Sequence, residues 1–141
     1  MNCLKIIAVD FDGCLCVDKW PKIGNTNWPV VRRLVERKKA GDKIILWTCR
    51  EGALLDEAVK WCKEHDIYLD AVNDNIAENI ALYGNNCRKV YADEYWDDKG
   101  ITVQQGFFFP LGISNLYGVY NGSPMPTTLK SRLRFLFKGK I

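Results

Sequence analysis

A chain of 141 residues that is 48% hydrophobic and 26% charged has room for one domain-sized core and the composition of an ordinary globular protein. No run reaches the roughly 18 apolar residues that a membrane span requires, and no apolar segment of secretory length precedes Asp10, so a cytoplasmic protein without a transmembrane segment is expected. The net charge of +3 conceals an asymmetry: residues 1–100 hold all 17 acidic residues against 15 of the 20 lysines and arginines, a balance of −2, while residues 101–141 hold five basic residues and no acid, +5. Two regions are therefore expected, 1–100 and a basic, aromatic tail over 101–141. The cysteines (Cys3, Cys14, Cys16, Cys49, Cys62, Cys87) are scattered, and the Cys14/Cys16 pair has no second pair at metal spacing and only His65 as a distant companion. Reduced thiols are expected, not zinc ligands or disulfides.

In chain order, Leu4–Val9 is a continuous apolar run, the pattern of a strand buried on both faces. Cys14–Asn27, with Pro21 and Gly24, reads as a loop carrying Trp20. Pro29 suits the first turn of a helix whose stripe is Val30, Val31, Leu34 and Val35 and whose stop is Gly41. Lys43–Thr48 is a second buried strand, followed after a short loop by a helix over Ala53–His65 with a broad apolar face and with Asp56 and Glu57 toward its amino end. Ile67–Val72 is a third strand. Asp74 is placed to cap a helix that Gly84 ends, and Val90–Trp96 is a fourth strand running into Asp97 and Asp98. Strand and helix alternate through residue 96, which predicts an α/β fold: a parallel, doubly wound sheet in three layers. The strands' carboxyl ends then share one edge, which gathers Asp10, Asp12, Thr48, Asp97 and Asp98.

The first strand ends in D-F-D-G, residues 10–13. A D-x-D on its own can be a solvated acidic turn. Close carboxylates repel unless a cation lies between them or one keeps its proton, and either outcome serves chemistry. Amides of the Asp10–Gly13 turn are candidates for a phosphate cradle, with Gly13 permitting close approach.

DFDG after the first strand, a threonine closing the second, a lysine before the fourth and an acidic pair ending it resemble the haloacid dehalogenase-like hydrolase superfamily, over about two-thirds of the chain. The strings PKIG, LWTCREG, LLDEAVKWC and KVYADEYWDD are similar to a small group of short bacterial and phage members. The resemblance implies a Rossmann-like fold and an Mg2+-dependent phosphatase acting on a small phosphomonoester through an aspartyl-phosphate. Asp10 would be the nucleophile, Asp12 the proton donor and then the base for water, Thr48 a hydrogen-bond partner of the phosphoryl group and Lys89 a neutralising cation. Asp97 and Asp98 would hold the metal together with Asp10 and the main-chain carbonyl of Asp12, although Asp93 and Asp97 also fit a D-x-x-x-D form. Gly13, Cys49 and Arg50 are the candidate substrate contacts, with Arg50 either clamping phosphate or pairing with Glu51 or Asp56. The second aspartate is the mark of phosphatases and phosphotransferases in the superfamily, which argues against dehalogenation. Cys14 stands where many relatives carry threonine.

The insertion points that hold cap domains in relatives are nearly empty, so a capless protein with an open mouth lined by Trp20, Trp28 and Arg50 is expected. The resemblance fades after Gly100. Gly106–Tyr120 suggests one or two irregular strands, Asn121–Pro126 a loop and Thr127–Lys138 a helix with basic groups around an apolar side. That tail motivates two other readings of the site's setting: a nucleic-acid end phosphatase, or a helix merely packed on its own domain. A non-enzymatic phosphoacceptor switch is a third reading of the aspartates themselves. An oligomer is compatible with all of them.

Overall fold

The computed structural model describes residues 4–104, 107–110, 119–120 and 123–124. The chain divides into two units, Met1–Asp98 and Lys99–Ile141.

The first unit is built on a four-stranded parallel sheet. Its strands β1 (Ile6–Val9), β4 (Lys43–Leu46), β5 (Ala71–Val72) and β6 (Glu94–Trp96) stand in the order β5-β4-β1-β6. Between them in the chain come a hairpin of β2 (Cys16–Lys19) and β3 (Lys22–Thr26), then helices α1 (Trp28–Lys39), α2 (Gly52–Glu64) and α3 (Ala77–Tyr83). The expected α/β alternation and parallel sheet are therefore present. The chain lays down β1, β4 and β5 outward in one direction, then returns past β1 to add β6. The order reverses at β1, and open α/β sheets offer a ligand crevice at the carboxyl ends on either side of such a reversal.

The alternation of side chains explains why these runs became central strands. Ile7, Val9, Ile44 and Leu46 pack with Val31 and Leu34 of α1 and Ala58 and Cys62 of α2 on one face, while Ala8 and Ile45 pack with Ile76, Val90 and Ala92 on the other. Every residue of β4 after Lys43 is fully buried. Truncating one of these large side chains to alanine costs on the order of 2–5 kcal/mol.

Five expectations need correction. The Cys14–Asn27 loop holds the β2–β3 hairpin, with a cis Trp20–Pro21 bond at its tip. The fourth strand is only Glu94–Trp96: earlier in the segment the buried Asn75 accepts from the Tyr91 N–H at 2.8 Å, diverting that amide from the sheet, and donates to the Cys87 carbonyl at 2.9 Å. The third strand shrinks to Ala71–Val72 for a similar reason, since the Ile67 N–H bonds back to the Cys62 carbonyl of α2 at 2.9 Å. Asp74 does not cap α3, whose N-cap is Ile76; its carboxylate accepts from the Asn75 N–H and the Asn86 amide instead, both at 2.8 Å. Asp56 and Glu57 lie beyond the first turn of α2, while Gly84 ends α3 in the left-handed conformation as expected.

In the second unit, β7 (Ile101–Gln104) pairs antiparallel with β8 (Phe107–Pro110), and β9 (Val119–Tyr120) with β10 (Ser123–Pro124), the last inside the stretch read as a loop. The expected helix over 127–138 lies outside the described residues. Among the described residues no helix is long and apolar enough to cross a membrane. Cys14, Cys16, Cys49, Cys62 and Cys87 are free thiols.

A charged network closes the amino-terminal side of the sheet. Arg37 of α1 forks onto both oxygens of Glu94 (3.0 and 3.1 Å) and also pairs with Asp42, whose other oxygen accepts the Lys5 N–H at 2.9 Å. Lys5 Nζ and the Trp96 indole N–H add bonds to Glu94 at 2.9 and 3.0 Å. The Arg37 fork holds the Glu94 carboxyl down at about 2, below the ordinary 4.5. A carboxyl depressed on folding contributes stability that is complete above its unfolded pKa and is lost as pH falls through the folded one. Unfolding titrations should therefore lose on the order of 2 kcal/mol between pH 4.5 and pH 2. Arg37→Met should abolish that part of the acid dependence; a variant with an unchanged acid limb would contradict the assignment.

Candidate active site

The pairing register brings the acidic groups together. Val9 is opposite Leu46 on one side and Trp96 on the other, and the ladder continues one step with the Asp10 N–H bonded to the Trp96 carbonyl at 2.9 Å. Asp10 and Asp97 thus leave adjacent strand ends. Carboxylate oxygens of Asp10, Asp97 and Asp98 lie within 4.8 Å of one another. Burial pushes the half-buried Asp10 carboxyl up to about 6, with Asp97, Asp98 and Asp12 adding to the rise against the opposing Phe11 amide, which Asp10 accepts at 2.8 Å.

Asp93, the alternative in the fourth motif, is not part of this cluster. Its carboxylate accepts from the Ile6 N–H at 2.7 Å and the Tyr91 hydroxyl at 3.1 Å, at the start of β1. The Glu94–Trp96 pairing decides the register: three paired residues separate Asp93 from Asp97, so the two acids stand at opposite ends of β6.

Gly13 is the hinge that lets Asp98 approach. Its φ is +82°, and a Cβ there would stand 2.8 Å from Asp98 Cγ, so both backbone conformation and space require glycine. Part of the expected cradle of turn amides is engaged within the protein: the Gly13 N–H bonds the Cys16 carbonyl at 2.9 Å and the Phe11 N–H bonds Asp10. Cys14 is buried, and its thiol donates to the Trp96 carbonyl at 3.5 Å. Burial, reinforced by Asp10, Asp97 and Asp98, pushes that thiol up to about 12. It is a neutral donor that ties the turn to β6, a task for which threonine's hydroxyl would also serve.

The Asp12 carboxylate is held by Arg50. Arg50 Nε and Nη2 donate to the two Asp12 oxygens, both at 2.7 Å. Neither Glu51 nor Asp56 is the partner. The guanidinium is almost fully buried and also donates to the carbonyls of Pro21 and Lys22, each at 3.2 Å. It lies between the rings of Phe11 and Trp20, at 5.0 and 5.3 Å. Arg50 thus commits four of its five N–H donors to Asp12 and the hairpin tip.

Thr48 lies two residues beyond β4, half-buried, and its position is set by Asn73, whose side-chain oxygen accepts the Thr48 N–H at 2.8 Å. Asn73 sits at φ +49°, a conformation asparagine tolerates better than most residues. The Thr48 hydroxyl oxygen accepts the Arg50 N–H at 3.2 Å, leaving the hydroxyl proton for another acceptor. Cys49 is exposed in the same loop. Lys89 is exposed, its ammonium lies 5.7 Å from the Tyr95 ring centroid, and it makes no ion pair with a carboxylate among the described residues. It precedes the 90–96 segment whereas the acids follow it. Trp20 lines the Arg50 side of the site, while Trp28 faces His65 at 5.6 Å instead.

Three oxygen-donor side chains converging at this spacing suit a hard divalent cation of the Mg2+ type. The roles missed by sequence reasoning belong to the pairs Arg50–Asp12 and Asn73–Thr48. The only sequence signal for the second was an N-D-N run after the third strand.

Comparison with known proteins gives one informative match. No protein-family model matches the chain, and no curated protein does so significantly. A conserved protein of solved structure from Bacteroides thetaiotaomicron is similar, with 35% identity, a TM-score of 0.62, and coverage of 69% of this chain and 78% of that one.

Gly13→Ala tests the geometry of the cluster. It should destabilise the fold by on the order of 2 kcal/mol; cation binding by the cluster predicts a rise in Tm with millimolar Mg2+ in the unmodified protein that the variant lacks. Retention of that rise would mean that Asp98 does not contribute to cation binding.

Proposed function

The chain belongs to the same family as the conserved Bacteroides thetaiotaomicron protein, and we propose that it is an Mg2+-dependent phosphomonoesterase of the haloacid dehalogenase-like type, acting on a small phosphorylated substrate. The observation that carries the reading is the convergence of Asp10, Asp97 and Asp98 at the reversal point of the sheet, with a second carboxylate, Asp12, held two residues away by a buried arginine. The motif order supports it: D-F-D-G at the end of β1, Thr48 beyond β4 and the acidic pair after β6.

In this reading Asp10, Asp97 and Asp98 hold the cation. The bound ion would offset the charge of the carboxylates and of the incoming phosphate oxygens. An Asp10 oxygen attacks phosphorus as the bond to the ester oxygen breaks, and that oxygen takes a proton from Asp12. In the second half-reaction Asp12, now a carboxylate, takes a proton from water. The water oxygen attacks phosphorus, the bond to Asp10 breaks, and inorganic phosphate leaves. The Thr48 hydroxyl donates a hydrogen bond to a phosphoryl oxygen. Arg50 supports Asp12, and Lys89 has no assigned step.

A panel of phosphate esters assayed with and without Mg2+ tests the proposal. Hydrolysis should require the cation, and Asp10→Asn should lower kcat by on the order of 10^4-fold or more while the variant stays folded. Metal-dependent hydrolysis that survives Asp10→Asn would sink the mechanism.

A further inference from the structure

Arg50 is the largest side chain in the fully buried interior of the first unit, and the mechanism above uses it only through Asp12. Four of its five N–H donors are engaged: two on the Asp12 carboxylate, one on the Pro21 carbonyl and one on the Lys22 carbonyl. The Phe11 and Trp20 rings sandwich it. The same group therefore fixes a carboxylate beside the acidic triad and the tip of the β2–β3 hairpin. A planar fork of this kind sets both the position and the plane of a carboxylate. Each Asp12 oxygen that accepts one N–H keeps a further lone pair, so the pair leaves Asp12 able to accept a proton from water without breaking the fork.

On the phosphatase reading, we propose that Arg50 is a positioning residue for the second half-reaction: it aims Asp12 at the attacking water, with the hairpin tip as the other anchor of the guanidinium. It is not a substrate-binding residue. The two roles give opposite kinetics. A clamp on phosphate, when weakened, raises KM and leaves less of the enzyme phosphorylated during turnover. A residue that aims Asp12, when weakened, slows hydrolysis of the aspartyl-phosphate more than its formation from an ester whose leaving group needs no proton, so with p-nitrophenyl phosphate the phosphorylated fraction rises and KM falls together with kcat.

Arg50→Lys retains the charge and loses the fork. Misplacement of a reacting group by about 1 Å can cost on the order of 100-fold. We therefore expect kcat with p-nitrophenyl phosphate to fall by about 10- to 100-fold, KM to fall with it, and acid-quenched enzyme to carry more phosphoryl-Asp10 than the unmodified protein. Trp20→Leu, at a half-exposed position, removes one ring from the guanidinium and leaves every donor in place; it should shift the same quantities in the same direction by a few-fold. This second variant serves if Arg50→Lys does not fold. A raised KM with a lower phosphorylated fraction, in whichever variant folds, would overturn the proposal in favour of a clamp. Loss of kcat with an unchanged phosphorylated fraction would overturn it in favour of a purely structural role. Unmodified protein that neither turns over nor becomes phosphorylated would remove the phosphatase reading, and this inference with it. Turnover in the unmodified protein with a raised KM in the variants would remove this inference alone.

Discussion

Carboxylates that converge repel one another, and the carboxyl edge of this sheet forces three of them into reach. Asp10 cannot leave because it continues the β1–β6 ladder through its own N–H. Asp98 approaches over a residue with no side chain, and the Cys14 thiol fastens the intervening turn to the same Trp96 carbonyl that accepts from Asp10. Burial of Asp10 adds to the cost of its charge. The backbone thus maintains an arrangement that the side chains alone would oppose, and a hard cation is the chemical species that would relieve it.

Around this cluster the structure separates two kinds of acid by their partners. Asp42, Asp70, Asp93 and Glu94 are tied to backbone amides, arginine or lysine and serve the sheet's other end and flank. Asp12 is also paired, but its arginine is buried and shared with the hairpin tip, which connects the site's edge to the hairpin. The positions of Thr48 and Arg50 follow from the same economy of backbone bonds: Asn73 holds the start of the loop, and the Thr48 hydroxyl holds the Arg50 amide.

The central strands were legible because continuous apolar runs such as residues 6–9 and 43–46 admit few other arrangements, and the parallel order then follows from chain connectivity. The hairpin was not, since Val17, Asp18 and Lys19 are all exposed and Pro21 and Gly24 mark a turn whether or not strands flank it. Val90 and Ala92 are buried as strand residues would be, yet a buried asparagine claims the Tyr91 amide, a competition no periodicity reveals. The choice between Asp93 and Asp98 depended on a three-residue register. Arg50 was weighed against acids near it in sequence, but its partner is 38 residues away.

The central claim is that Asp10 carries the phosphoryl group during turnover. Borohydride reduces an acyl phosphate to the alcohol, so trapping the enzyme during Mg2+-dependent hydrolysis of a phosphate ester and sequencing its peptides by mass spectrometry reads that residue directly. The account predicts homoserine in place of aspartate at position 10, only when both ester and Mg2+ are present. Unmodified Asp10 in protein that is turning over, or homoserine at another position, would contradict it.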